Sequence, residues 1–290
     1  MYKFVAIDLD GTLLNSCGQV LEEDKKEIKR LLDKGIEVVL CSGRNPMSVK
    51  SIASDLGINS YIICGNGSLI LDLKTDEVIY KNYMDKQKVL QIIDICEENS
   101  IYYCINTSNN IIAKSLNYNV LFYHHENEKK PEEKRTNINI VSDIHRYVEE
   151  RTEEDYLKIS ICDSHSVIFG GIIRKLRQIN KIDVLDVAHM SRKRIKAGTE
   201  DIDVEYYYTE LTAQNINKWS AIKYLINMLN IPKEEVIAIG DNINDKEMME
   251  NAGVGIAMAN SAPYIQEFAN YVTLDNNSNG VAEALKKYVE

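Results

Sequence analysis

Apolar residues in this chain gather into short runs separated by longer stretches with helical spacing. Phe4-Val5-Ala6-Ile7, Ile36-Glu37-Val38-Val39-Leu40, Tyr61-Ile62-Ile63 and Val236-Ile237-Ala238-Ile239 lack the strict alternation of a sheet with one wet face. Such runs suit strands covered on both sides, the habit of parallel sheets. Between the first two, Glu22 to Leu32 reads as a helix, with Ile28, Leu31 and Leu32 apolar and Gly35 just past its end. Pro46 suits the first turn of a second helix, which runs to about Leu56 before Gly57. The resulting β-α-β-α-β alternation predicts an α/β fold built on a parallel sheet.

Leu69-Ile70-Leu71 and Val78-Ile79-Tyr80 flank Asp72 to Glu77 as a hairpin or two edge strands. From about Tyr83 the character changes. Lys86 to Glu98 is helical, and Ile101 to Asn106 and Ile111 to Ala113 are strand-like. Asn117 to Arg135 is polar, with Glu126 to Arg135 nearly all charge, as expected of a solvated loop. Leu157 to Cys162 is strand-like, Val167 to Ile179 helical, and Asp183 to Ala188 and Val204 to Leu211 strand-like. Residues 83–212 thus read as a separate α/β unit with antiparallel strands, inserted into a core formed by 1–82 and 213–290. The first pattern then resumes. Trp219 to Leu229 is a helix, Val236 to Ile239 a strand, Asp245 to Asn251 a short helix and Gly253 to Met258 a strand. A helix over Ala262–Ala269, a strand over Tyr271–Leu274 and a helix over Gly280–Val289 close the chain.

Composition narrows the function. The 290 residues carry a formal net charge of −10, and no large basic patch is evident, which argues against a nucleic-acid partner. No apolar stretch is long enough to span a bilayer, and Met1-Tyr2-Lys3 runs directly into the first strand without the pattern of a secretory leader. Cys17, Cys41, Cys64, Cys96, Cys104 and Cys162 form no CxxC pair, so reduced thiols in a cytoplasmic protein are expected. No obligate protein partner is evident.

The candidate chemistry sits at the carboxyl ends of the apolar runs. The first ends in Asp8-Leu9-Asp10-Gly11-Thr12, two carboxylates two residues apart before a glycine turn. If strand geometry continues, Asp8 and Asp10 point into the same space. Like charges that close call for a cation or a shared proton. The alternative is a solvated turn with aspartate at a strand end. The second run ends in Cys41-Ser42-Gly43-Arg44, where Ser42 and the Gly43 amide suit either phosphate oxygens or a helix cap. Asn66 follows the third, and Asp241, Asn244 and Asp245 follow Val236–Ile239. In an open parallel sheet these ends line the ligand edge, so the clusters are expected to converge. Three carboxylates, Asp8, Asp10 and Asp241, suit a hard, oxygen-preferring ion, and Mg²⁺ fits best. The histidines, His124, His125, His145, His165 and His189, all lie in the middle third, which disfavours zinc at the aspartates. Arg192, Lys193, Arg194 and Lys196 either contact an anionic substrate or decorate an exposed strand.

Together these residues resemble the haloacid dehalogenase (HAD) superfamily, and within it the Cof-type hydrolases (HAD-IIB), which carry a large α/β cap. Asp8-Leu9-Asp10-Gly11-Thr12-Leu13-Leu14 matches the first motif, Ser42-Gly43-Arg44 the second and Lys218 the third. Gly240-Asp241-Asn242-Ile243-Asn244-Asp245-Lys246-Glu247-Met248 fits the fourth, and Asn66-Gly67 a turn typical of the branch. Trp219 departs from the family, where glycine commonly follows the lysine. A bulky ring there either narrows the substrate entrance or packs on the cap.

The resemblance implies a Rossmann-like core and a phosphatase acting on small phosphorylated metabolites, such as sugar phosphates. It implies Asp8 as nucleophile, forming an aspartyl-phosphate, and Asp10 as acid and then base. It implies Mg²⁺ held by an Asp8 oxygen, the Asp10 carbonyl and Asp241. Leu9, Ser42, Gly43, Lys218 and Asn244 would contact the phosphoryl group or substrate, with Arg44, Asn66 and Asp245 supporting them. Residues 83–212 would close over the site and contact the leaving group. A phosphomutase of the same branch and a non-catalytic binder of phosphometabolites are the competing readings. The intact Asp8, Asp10, Lys218 and Asp241 argue against the binder.

Overall fold

The computed structural model describes residues 2–152, 154–186, 188–197 and 200–289; the side chains at 188–197 and 200–205 lie outside the described residues. The expectations for Arg192, Lys193, Arg194 and Lys196 fall on those side chains. The chain forms two units, one comprising residues to Lys81 and from Ile216 onward, the other Asn82–Asn215.

The first unit opens with β1 (Phe4–Ile7), β2 (Glu37–Cys41), β3 (Tyr61–Cys64), β4 (Leu69–Asp72) and β5 (Glu77–Lys81). The second holds β6 (Tyr102–Thr107), β7 (Asn110–Ala113), β8 (Asn137–Ile140), β9 (Tyr156–Asp163), β10 (Ile182–Val184), β11 (Ala188–Ala197) and β12 (Glu200–Ala213). The chain then returns to the first unit through β13 (Val236–Gly240), β14 (Val254–Ala257) and β15 (Tyr271–Val272).

The first sheet runs β15-β14-β13-β1-β2-β3-β4-β5. It is parallel from β15 to β3, and β4 and β5 extend it antiparallel. Strand β1 is central, with Ile7 opposite both Leu40 and Ile239, and all its residues are buried. That is why Phe4 to Ile7 carries no polar alternation. Helix Lys218–Met228 covers one face, its Ala221, Ile222 and Leu225 packed with Phe4, Ala6, Val39, Ile63 and Ala238. Helices Glu22–Asp33 and Gly280–Tyr288 pack together, and the Asp24 carboxylate accepts the Ala282 amide at 2.7 Å. Strand order reverses direction between β1 and β13, so a crevice opens beyond their carboxyl ends.

The second unit is a largely antiparallel sheet, β10-β12-β9-β6-β7-β8, with β11 also on β12 and only β7–β8 parallel. Helices Lys86–Glu98 and Ser166–Leu176 pack on it. Part of the polar stretch after Asn117 is helical, over Tyr118–Glu128. Its surface is polar, but Val120 is buried and Tyr123 packs with it against Cys104, Ile111 and Ala113. Two anchors one turn apart suffice to dock a helix with no broad apolar face. Strand β8, Asn-Ile-Asn-Ile, and helix Ile144–Glu149 are too short and too polar to stand out in the sequence.

Candidate active site

The carboxyl edge of the first sheet gathers the predicted residues from distant parts of the chain. Asp8 directly follows β1, Ser42-Gly43-Arg44 follows β2, Asn66 follows β3, and Asp241 follows β13. Lys218 is the first residue of its helix. Asn217 caps that helix, its side chain accepting the Ser220 amide at 2.8 Å while Ser220 Oγ accepts the Asn217 amide at 3.2 Å. This reciprocal cap fixes where the lysine leaves the backbone. Gly67 lies against the Asn217 carbonyl, at φ +101° and with no room for a Cβ. Only glycine lets the turn behind β3 come so close to the lysine's helix.

Lys218 is fully buried, and its ammonium donates to Asp8 Oδ1 at 2.5 Å and Asp245 Oδ1 at 2.6 Å. Asp245 Oδ2 in turn accepts the amides of Asp241 (3.0 Å) and Asn242 (3.1 Å). Asp245 therefore fixes the lysine and the loop behind β13 together. Oxygens of Asp8, Asp241 and Asp245 lie within 4.8 Å of one another. One ammonium cannot balance three carboxylates. Burial, and then the Asp245 charge, raise the Asp8 carboxyl to about 7 despite Lys218. Burial and the charges of Asp8 and Asp245 push Asp241 well above the usual carboxylate range. Burial pulls Lys218 down, but Asp245 and Asp8 outweigh it and hold the ammonium charged. A cluster of hard oxygen donors with excess negative charge fits a divalent cation such as Mg²⁺.

Asp10 takes a different partner. The strand stops at Ile7, and the Thr12 and Leu14 amides fold back onto the Leu9 carbonyl, so the simple alternation expected for Asp8 and Asp10 ends before Asp10. The Asp10 carboxylate, 49% exposed, receives the guanidinium of buried Arg44 in a fork, Nη2 to Oδ1 at 2.7 Å and Nε to Oδ2 at 2.8 Å. Arg44 also donates to Ser48 Oγ at 3.0 Å. The three-carboxylate cluster contains Asp245 and not the Asp10 side chain. Leu9 is fully buried, so contact through it would use its backbone. Ser42 is buried, its Oγ accepting the Arg44 amide at 3.2 Å, while Gly43 is partly open. Asn66, left-handed at φ 58°, accepts Asn244 Nδ2 on its Oδ1 at 3.1 Å. Trp219 packs against the core cluster beneath the sheet.

Two further residues, Thr12 and Gly11, shape the site around Asp241. Thr12 donates its hydroxyl to Asp241 Oδ1 at 3.0 Å. Gly11, at φ +85°, lies so close to Asp241 that a Cβ would strike the carboxylate. The DGT tripeptide was the signal, but its partner is 229 residues away.

A family model described as haloacid dehalogenase-like hydrolase matches residues 5–285. The chain is 31% identical to Phosphatase YwpJ of Bacillus subtilis, covering 98% of this chain and 99% of that protein. It is also 31% identical to 5-amino-6-(5-phospho-D-ribitylamino)uracil phosphatase YwtE of the same organism, covering 97% and 96%. A solved haloacid dehalogenase-like hydrolase from B. subtilis superposes with a TM-score of 0.82 at 27% identity, covering 99% of this chain and all of that one.

Proposed function

We propose a mechanism from one premise: this chain belongs to the haloacid dehalogenase-like hydrolases and is a Cof-type phosphatase. Its substrates are small phosphorylated metabolites, sugar phosphates or similar phosphomonoesters, and Mg²⁺ is its cofactor. Asp8 attacks phosphorus, and the bond to the leaving oxygen breaks as Asp10 gives that oxygen a proton. Asp10 then takes a proton from water, which attacks the aspartyl-phosphate and releases Asp8. Lys218, Ser42 and the Gly43 amide hold the phosphoryl oxygens, and Asn244 adds a polar contact. Arg44 orients Asp10, which is exposed enough to meet a leaving group while forked by the guanidinium. Asp8, the Asp10 carbonyl and Asp241 would hold Mg²⁺, and Asp245 steadies both Lys218 and the Asp241 loop. When bound, the ion neutralises repulsion between the nucleophile and the phosphate dianion.

One observation carries this reading: a buried Asp8 joined to Lys218, with two further carboxylates beside it. A pure binder of phosphate would gain nothing from three carboxylates facing an anion. The inserted unit serves as the cap that selects the leaving group. The relative named for 5-amino-6-(5-phospho-D-ribitylamino)uracil makes polyol and heterocyclic monoesters the first substrates to try. Among the described residues no helix is long and apolar enough to cross a membrane. Six free cysteines, five of them buried, support a reducing cytoplasmic setting.

The test is a screen of phosphorylated metabolites and p-nitrophenyl phosphate with Mg²⁺, with and without EDTA. Phosphate release that EDTA stops and Asp8→Asn abolishes is expected. Unchanged release by Asp8→Asn sinks the covalent mechanism, and isomerised hexose phosphate without free phosphate would make the chain a mutase.

A further inference from the structure

We propose that Asn260 and Asn276 are positioning residues for the phosphoryl site, clamping the loop behind β1 and through it holding Asp10 and Asp241. This rests on the roles given to those aspartates above. The loop Gly11–Ser16 is tied to its own strand end through the Leu13 and Leu14 amides. Besides the Thr12 bond to Asp241, its ties across the sheet edge include asparagines in the loops behind β14 and β15. Asn260 Nδ2 donates to the Gly11 carbonyl at 2.8 Å. Asn260 Oδ1 accepts the Asn276 amide at 3.1 Å, and Asn276 Nδ2 donates to the Leu14 carbonyl at 2.8 Å. Asn277 Oδ1 adds an outer tie, accepting Ser16 N–H at 3.1 Å and Ser16 Oγ at 2.9 Å.

The two clamped carbonyls bracket Thr12, whose hydroxyl fixes Asp241, and Gly11 directly follows Asp10. A shift of the loop therefore moves the acid/base group and a metal-holding carboxylate at once. The chemistry also explains the side chain. Asn260 must donate to a carbonyl and accept from an amide, and its carboxamide does both through separate atoms. Asn260 is exposed and Asn276 half-exposed, so their bonds compete with water and add little to global stability. Their consequence is geometric.

Asn260→Asp and Asn276→Asp keep the shape but replace the amide donor with an acceptor oxygen and add a negative charge; Asn260→Ala removes the same bonds without the charge. Each is compared with the parent using p-nitrophenyl phosphate and Mg²⁺, with rates normalised to folded protein. Calorimetric titration of Mg²⁺ into each metal-free protein gives a readout independent of turnover. The expected result is a kcat lower by about 10- to 100-fold with KM nearly unchanged, and Mg²⁺ bound about 10-fold more weakly. Thermal midpoints should stay close to the parent's. Variants with parental kcat and Mg²⁺ affinity overturn the proposal, as does a loss wholly explained by unfolding. If Asp10→Asn is inactive while the asparagine variants are not, only the clamp fails; an active Asp10→Asn brings down the mechanism beneath it.

Discussion

Replacing Lys218 by methionine tests the electrostatic core of the site. The side chains of Lys218 and Asp245 are wholly buried, and the ammonium lies 2.5 Å from Asp8 and 2.6 Å from Asp245. At an effective dielectric near 20, each contact contributes about 6 kcal/mol of gross attraction. The cost of dehydrating the ammonium offsets several kcal/mol of that, so deleting the lysine should cost about 3–5 kcal/mol in metal-free protein. What is lost is less the pair than the compensation of three neighbouring carboxylates. Protons can take over part of that task. Asp8 is raised from 3.8 to about 7, so it binds its proton more tightly folded than unfolded. Its contribution to stability is fully present below its unfolded value and lost as pH rises through about 7. The penalty of Lys218→Met should therefore be larger at pH 8 than at pH 5.5. Urea unfolding followed by circular dichroism in EDTA measures both. Adding Asp245→Asn should return part of the loss, because one charge fewer stays unbalanced and the amide oxygen can still accept the Asp241 amide. A loss below about 1 kcal/mol at both pH values would refute the reasoning, since it would mean that water already solvates the cluster.

Three further outcomes follow from the same geometry. Arg44→Lys keeps the charge but loses the fork on Asp10, so kcat in a p-nitrophenyl phosphate assay should fall about 10- to 100-fold; parental activity would mean Asp10 needs no orienting. Gly11→Ala places a methyl against the Asp241 carboxylate at a φ of +85°, so Mg²⁺ binding by calorimetry should weaken at least about 10-fold. Apparent Mg²⁺ affinity should rise with pH through about 7, because binding must expel the Asp8 proton below that value; an affinity flat from pH 6 to 8 would place the ion away from Asp8.

The first sheet was legible because burial on both faces leaves a plain sequence trace. Phe4 to Ile7 and Val236 to Ile239 are unbroken apolar runs, and both prove to be central strands. The second unit was less so. Helix Tyr118–Glu128 rests on Val120 and Tyr123, anchors too few to rise above a polar background, and its cores come from strands elsewhere in the chain. Strand β8 survives by pairing with β7, a fact about its neighbour and not its own residues.

The convergence of the site residues could be anticipated because a parallel sheet turns position at a strand end into position in space. Asp8, Ser42, Asn66 and Asp241 are far apart in sequence, yet each follows a strand of the same parallel set and so reaches the same edge. That rule places residues but does not pair them. Nothing near Asp10 announces that its carboxylate is held by Arg44, and nothing near Thr12 announces Asp241. Asn260, Asn276 and Asn277 lie in turns, where asparagine is ordinary and draws no attention. Their carboxamides span loops that only the strand order β13-β14-β15 beside β1 brings together. Local pattern therefore names the groups that do chemistry, because their type and strand-end position are unusual. The groups that hold them in place use ordinary side chains, and their roles exist only once the sheet has set their neighbours.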